Sequence, residues 1–458
     1  MKAKNWVLIF FLLPAVLLVL STWYEGSAQS LNTQTQSRIL FVKPGASGTC
    51  ASWESACDLR IALESPYSGD QVWVAAGTYY PSITNDRNRA FPLRIGVSIY
   101  GGFTGTETSL GQRDPANNQT ILSGDIGIPD DLGDNSYHVV DGSAVDESAV
   151  LDGFTIRFGN ASGTYPKNYG GGVYNNIGSP TLRNIVLYGN IAEIGGGMFT
   201  YRGNPVLTNV IFSNNTAIYY GGGMYNHTSN PIINNVLISE NISRQGAGMY
   251  NNLSNFSMRN VSIVNNTTSS YSYGCGGGIY NEKSSPTIMN STIAGNSSWN
   301  GGGIYNYSQS APVLTNVTIK DNTADSASSP GGGIFSSYDS NATIRNSILW
   351  GNTPDQISGQ AGATFSDIQN GHAGEGNIDQ DPILPDLEYD GGYLMTQPLV
   401  LGSPAIDAGD PDLCPATDQR GSSRPVDGDG DGTAACDMGS FEYELTPILT
   451  YLPTILRY

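Results

Sequence analysis

Charged residues are scarce in this chain of 458 residues, at 13% of the composition. The helix formers Ala, Leu, Glu and Lys do not dominate, which argues against long helices and coiled coils. Basic residues are scarcer still, 21 against 40 acidic ones, for a formal net charge of −19. A chain this acidic repels phosphate backbones, which excludes nucleic acid as a partner. An exported soluble protein or a cation binder fits the charge better. His138, His227 and His372 are the only histidines, and they lie too far apart in sequence to read as one cluster. After residue 20 no run is apolar enough to span a bilayer, so no transmembrane segment is expected in the mature chain.

The one unbroken apolar run, residues 6–20, follows Lys2 and Lys4 and precedes the small residues Gly26, Ser27 and Ala28. It is shorter than the roughly 20 residues a spanning helix needs. Charged start, apolar middle and small-residue end read as a signal peptide, residues 1–28, cleaved before Gln29. No Cys follows the run, which argues against a lipoprotein. The expected location is therefore secreted or cell-surface. Export permits disulfides among the five Cys. Cys50 and Cys57 are close enough to staple an N-terminal cap, and Cys414 and Cys436 bracket an acidic loop, leaving Cys275 free. A fully reduced set is the alternative.

What the chain does have is a repeat. Small-residue triplets begin at Gly170, Gly195, Gly221, Gly246, Gly276, Gly301 and Gly331, each followed by an apolar and an aromatic residue. An Asn-x5-Asn pair follows each triplet: Asn184/Asn190, Asn209/Asn215, Asn235/Asn241, Asn260/Asn266, Asn290/Asn296, Asn316/Asn322 and Asn346/Asn352. The spacing within each pair never changes, while the step between triplets varies. Fixed corners with loops growing elsewhere are the signature of a solenoid. Period-two alternation puts Val173, Met198, Met224, Met249, Ile279, Ile304 and Ile334 inside and the next residue outside. In the coil around 286–306 it also turns Ser291 and Ile293 inward and Thr292 outward. Like residues then stack about 4.8 Å apart. Asn at a corner tolerates the left-handed conformation, and its amide can bond the next Asn along the stack. The expected fold is all-β: a parallel β-helix solenoid with three strands per coil, a short N-terminal cap helix and about ten coils. An L-x-x-L-x-L run, which leucine-rich repeats need, is missing, and the repeat is too short for a propeller blade.

The organisation reads as follows. Residues 29–65 form an N-terminal cap, with a strand at 38–42 and helical character at 56–64. Residues 66–160 form irregular coils, with strands at 71–75, 96–100, 120–123, 137–141 and 149–156. Residues 161–370 form the regular repeats, 371–444 an acidic C-terminal module and 445–458 an apolar tail. The tail is too short to span a membrane and reads either as a sorting or attachment signal or as a strand docked on the last coil or a frayed end.

The coils GGGVYN, GGGMYN and GGGIYN, with PTLRNIVLYGN, PVLTNVIFSNN and PVLTNVTIKDN, resemble right-handed parallel β-helix repeats of the pectin-lyase-like class. More loosely they resemble repeats of polymorphic outer-membrane proteins. ACDLRIAL at 56–63 resembles the cap motif of CSLREA-type domains, with Asp58 and Ile61 departing from it. GSPAIDAGD, DQRGSSRPVDGDGDG and CDMGSFEYE resemble the C-terminal module of choice-of-anchor Q proteins. Together these stretches cover nearly all of 38–444. The resemblance implies a right-handed β-helix in an exported, surface-associated bacterial protein.

Three functions are compatible with such a rod: a non-catalytic adhesion or glycan-binding protein, a polysaccharide lyase or epimerase, and a structural spacer. Hydrolysis needs converging carboxylates, and lyase chemistry needs a base with charge neutralisation. The acids of the regular coils, Glu193, Glu240, Glu282, Asp321, Asp325 and Asp339, occupy different slots, so no catalytic residues are assigned and the non-catalytic reading is preferred. Tyr174, Phe199, Tyr225, Tyr250, Tyr280, Tyr305 and Phe335 form an expected outer stripe for a polysaccharide or cell-surface glycan; their alternative role is to stabilise the sheet by stacking. Asp427, Asp429 and Asp431 alternate before Gly432 like the opening of a calcium loop. Met438 stands where such a loop needs Glu, and Asp437 beside it could close a Ca2+ site. Residues 375–444 carry sixteen acids against Arg420 and Arg424, an excess a cation would relieve. The chain is expected to be a monomer.

Overall fold

Each coil begins where alternation drives it, with an apolar side chain turned in. The computed structural model describes residues 37–445 except 270–272, 327–330, 390–391 and 393. The signal-peptide reading and residues 446–458 of the apolar tail lie outside the described residues. The described chain is a parallel β-solenoid of about 11 turns with almost no helix. Three parallel sheets run along it, of sixteen, ten and seven strands, and a two-stranded antiparallel ribbon pairs Glu388–Tyr389 with Met395–Thr396. In the second sheet Val173, Met198, Met224, Met249, Ile279, Ile304 and Ile334 stand in register, all fully buried. Each such side chain contributes roughly 1.5–3 kcal/mol by leaving water.

The two residues of each Asn pair do different work. Asn184, Asn209, Asn235, Asn260, Asn290, Asn316 and Asn346 take φ between 47 and 57° and turn the corner. Asn190, Asn215, Asn241, Asn266, Asn296, Asn322 and Asn352 form an interior ladder. Each Nδ2 donates to the next Oδ1 at 2.8–3.0 Å. The same Oδ1 accepts the preceding Asn's backbone N–H. A second amide ladder, not anticipated from the sequence, joins Asn226, Asn251, Asn281 and Asn306 inside the second sheet. Both ladders satisfy polar groups that burial would otherwise strand. The third glycine of a triplet is obligatory for a related reason: a Cβ at Gly223 would lie 2.6 Å from the next coil's carbonyl. In sequence, the extra residues of the longer coils follow the short third-sheet strands Thr267–Thr268 and Thr323–Ala324.

At the ends the sequence expectations need adjustment. The cap helix spans only Leu59–Ala62, capped by Asp58, whose side chain accepts from the Arg60 N–H. The expected early strands fall at Ile39–Val42, Gln71–Ala75, Ser98–Phe103, Thr120–Ser123, Val140–Asp141 and Val150–Arg157, and Gly77–Tyr79 and Phe91–Pro92 are two that were not expected. Cys50 bonds Cys57, Cys414 bonds Cys436, and Cys275 is free and buried.

The larger departure is at the C-terminal module. It folds back over the outer face of the first sheet, where Leu237, Ser262, Thr292, Thr318 and Ile348 follow one another in register. Thr292 does point outward but is fully buried, because its hydroxyl bonds the Gln419 side chain at 2.7 Å and meets Ser440 at 3.0 Å. Leu387 and Met395 pack on Leu237, Val264 and Ala294. Three corner asparagines hold the module's backbone: Asn290 donates to Thr417 O, Asn316 to Asp437 O, and Asn346 both donates to and accepts from Asp410.

Candidate functional site

The outer face of the second sheet is built by the residue after each inward apolar one. Tyr174, Phe199, Tyr225, Tyr250, Tyr280, Tyr305 and Phe335 occupy it in register. Their rings stack on one another, with centroids 5.6, 5.5, 5.4, 4.6, 4.9 and 5.1 Å apart. His138 covers the first ring at 4.8 Å. The stripe therefore lies outside the β-helix, but the flat faces it was expected to offer are taken by neighbouring rings. Phe199, Tyr250 and Tyr280 are each only 6% exposed. Desolvation pushes the Tyr174 hydroxyl up to about 12 and raises Tyr225, Tyr250 and Tyr280 further. These phenols are neutral across physiological pH.

Open aromatic surface lies beside this column. Two residues further along each strand, a second outward column runs Tyr201, His227, Asn252, Glu282, Tyr307. Asn176 stands before Tyr201 in register, so the Tyr201 face toward that coil meets a short side chain. A cleft of about 290 Å3 opens there, lined among others by Tyr165, Tyr169, Tyr174, Asn176, Tyr201 and His227. Tyr165 is 72% exposed and meets Tyr169 edge-on at 5.4 Å. At the other end of the column Tyr338, 78% exposed, meets Tyr307 edge-on at 5.2 Å beside Ser308 and Asp339. Between them Glu282 accepts from the Tyr250 hydroxyl at 2.8 Å and the Asn252 amide at 2.5 Å. Glu282 is the single carboxylate of this column, so no acid pair faces a ligand there. The same alternation that picked the first column would have picked Tyr201, His227 and Tyr307. Tyr165 and Tyr338 sit on loops, where periodicity is silent.

The expected calcium residues divide. Asp427 and Asp429 do converge, but their third partner is Asp407, and the three offer oxygens within 4.8 Å of one another. Asp407 also organises the loop, accepting from the backbone N–H groups of Gly428, Asp429 and Ala435. Asp431 is exposed and caps the Thr433 N–H. Asp437 does not join them. It is fully buried, accepts from the Asp407 and Tyr443 N–H groups, and is pushed up to about 8 by desolvation and by Glu442. It belongs to a buried network instead. Arg424 donates to Asp437 O and Gly439 O and lies 3.3 Å from Glu442 Oε2, both side chains being fully buried.

The model of the right-handed beta helix region family matches residues 226–370. No curated protein matches the sequence. Among solved structures, the crystal structure of pectate lyase Pel9A is similar with a TM-score of 0.53 over 89% of this chain and 97% of its own, at 14% identity. At that identity the likeness is one of backbone path. Together these similarities and the described coils make the fold a right-handed parallel β-helix.

Proposed function

We propose that the protein is a secreted or cell-surface carbohydrate-binding β-helix that engages a polysaccharide or cell-surface glycan along the second sheet without cleaving it. The observation that carries this reading is the aromatic cleft under Tyr165 and Tyr201. Exposed rings set around a concave polar floor suit sugar rings, which present apolar faces and hydroxyl edges. Glu282 has no second carboxylate within its own column, which argues against hydrolysis by a pair there. Similarity to a structure named as a pectate lyase supports a carbohydrate-related role. The resemblances to CSLREA caps and choice-of-anchor Q modules support export and surface attachment. No helix among the described residues is long and apolar enough to cross a membrane.

A glycan array with the mature protein tests the reading. Tyr165→Ala and Tyr201→Ala are each expected to weaken retention by about tenfold, the worth of one stacked ring with its buried area. Tyr280→Ala, inside the ring stack, is expected to lower thermal stability while leaving retention intact. Retention that survives loss of both Tyr165 and Tyr201 discards the cleft, and release of unsaturated products from a retained glycan would replace this reading by a lyase.

We also propose that Asp407, Asp427 and Asp429, with Asp431 adjacent, hold Ca2+. Carboxylate oxygens are the donors a hard cation takes, and Gly430 and Gly432 at φ 81 and 92° let the loop curl. The ion would relieve repulsion among the carboxylates and brace the module. A chelator is expected to lower the melting temperature by several degrees, with recovery on adding Ca2+ and no response in Asp407→Asn. A melting curve indifferent to chelator discards the site.

A further inference from the structure

Three arginines of this acidic chain converge on one cleft beside the N-terminal cap. Arg60, Arg89 and Arg94 line a cavity of about 640 Å3, with Ile61, Ile83 and Phe91 among its apolar walls and Glu64 as its one acidic residue. The Arg60 Nε donates to Asp58 Oδ1 at 2.7 Å, and the Arg89 Nε faces Asp86 Oδ2 at 3.4 Å. Both contacts use Nε. Neither guanidinium is paired with a second carboxylate among the described residues, and Arg94 makes no ion pair with any of them. An Nη edge is where a carboxylate or sulfate docks with two parallel hydrogen bonds. The Arg60 guanidinium is oriented in advance by its hydrogen bond to Asp58, which lowers the ordering cost of binding. Ile61 is 44% and Ile83 78% exposed, so the anion sites adjoin apolar surface that water covers poorly. The volume lies in the range of small-molecule sites.

We infer that this cleft binds an organic anion bearing two or more carboxylate or sulfate groups on a compact body. A formal charge of −19 makes general anion affinity unfavourable, so any such binding is local to these three guanidiniums. The cleft is distinct from the aromatic one but lies on the same sheet: Pro92, on its wall, stands two register positions before Tyr174.

Calorimetric titration of the full chain at constant ionic strength tests it, with citrate, a sulfated disaccharide, a trigalacturonate and inorganic sulfate as probes. At least one organic anion is expected to bind saturably and more tightly than sulfate. Arg94→Gln, at an exposed side chain without an ion pair, is expected to weaken it at least about tenfold, the worth of a charge-assisted hydrogen bond pair. Arg259→Gln, which removes the same charge from an exposed site on the regular coils, is expected to leave binding unchanged. A circular-dichroism melt of each variant separates lost binding from lost folding. Tighter binding of either sugar acid than of citrate assigns a sugar-borne anion, and the reverse assigns a small carboxylic acid; both support the site. Absence of saturable binding, sulfate binding as tightly as the organic probes, or equal losses in both variants would overturn it.

Discussion

Asn241→Ala is expected to lower the unfolding free energy by about 4 kcal/mol, the sum of several stranded polar groups at roughly 1–3 kcal/mol each. The Asn241 side chain donates to Asn266 Oδ1 and Phe212 O and accepts from both the backbone and side-chain N–H of Asn215. Alanine leaves two donors of Asn215 without partners in a fully buried site and removes a bond to the Phe212 carbonyl. Water cannot easily replace the amide, because the rungs above and below stay in place. Asn265→Gly is the control: Asn265 is exposed with φ 57°, which glycine adopts freely, so the change is expected to stay within about 1 kcal/mol. Chemical denaturation of both variants reads the difference. Equal, small losses would mean the ladder relaxes around a missing rung.

Arg424→Met is expected to cost about 3–5 kcal/mol and to release the C-terminal module from the coils. The substitution leaves Glu442 without its counter-charge and removes one of the two donors to each of the Asp437 and Gly439 carbonyls, which Asn316 Nδ2 still reaches. Both carboxylates are already raised by desolvation, so an unpaired Glu442 has no inexpensive ionised state. The double variant Arg424→Met with Glu442→Gln is expected to recover part of the loss, because no buried charge is then uncompensated. Hydrogen exchange should rise across 400–445 in the single variant while residues 170–240 stay protected. Unchanged protection of the module would show that the asparagine contacts and Cys414–Cys436 hold it alone.

The fold was legible because a solenoid repeats its constraints. Asn296 must lie under Asn322, Ile304 under Ile334 and Gly303 against the next coil's carbonyl, so one coil written correctly forecasts the rest. Contacts made once leave no such trace. Thr292 reads as a solvent-facing strand residue until Gln419, 127 residues on, is placed over it. Counting along a calcium loop selected Asp437, which follows in sequence but is fully buried and accepts the Tyr443 N–H. Asp407 converges with Asp427 only through tertiary folding and carries no local signal. The aromatic column was identified by alternation, whereas its ring-on-ring closure follows from stacking like residues at strand spacing, an effect that removes the very faces a ligand would use.

The fold-back of the C-terminal module has a mechanical consequence. A free solenoid under tension gives way coil by coil from its ends, each coil bearing load only through its neighbours. Here Leu387, Met395, Gln419, Met438 and Ser440 bridge the outer faces of coils from Leu237 to Ile348. A pull on the C-terminus is therefore shared among five coils in shear before any one of them can peel, which turns that half of the rod into a clasped unit with the unclasped coils as its compliant end.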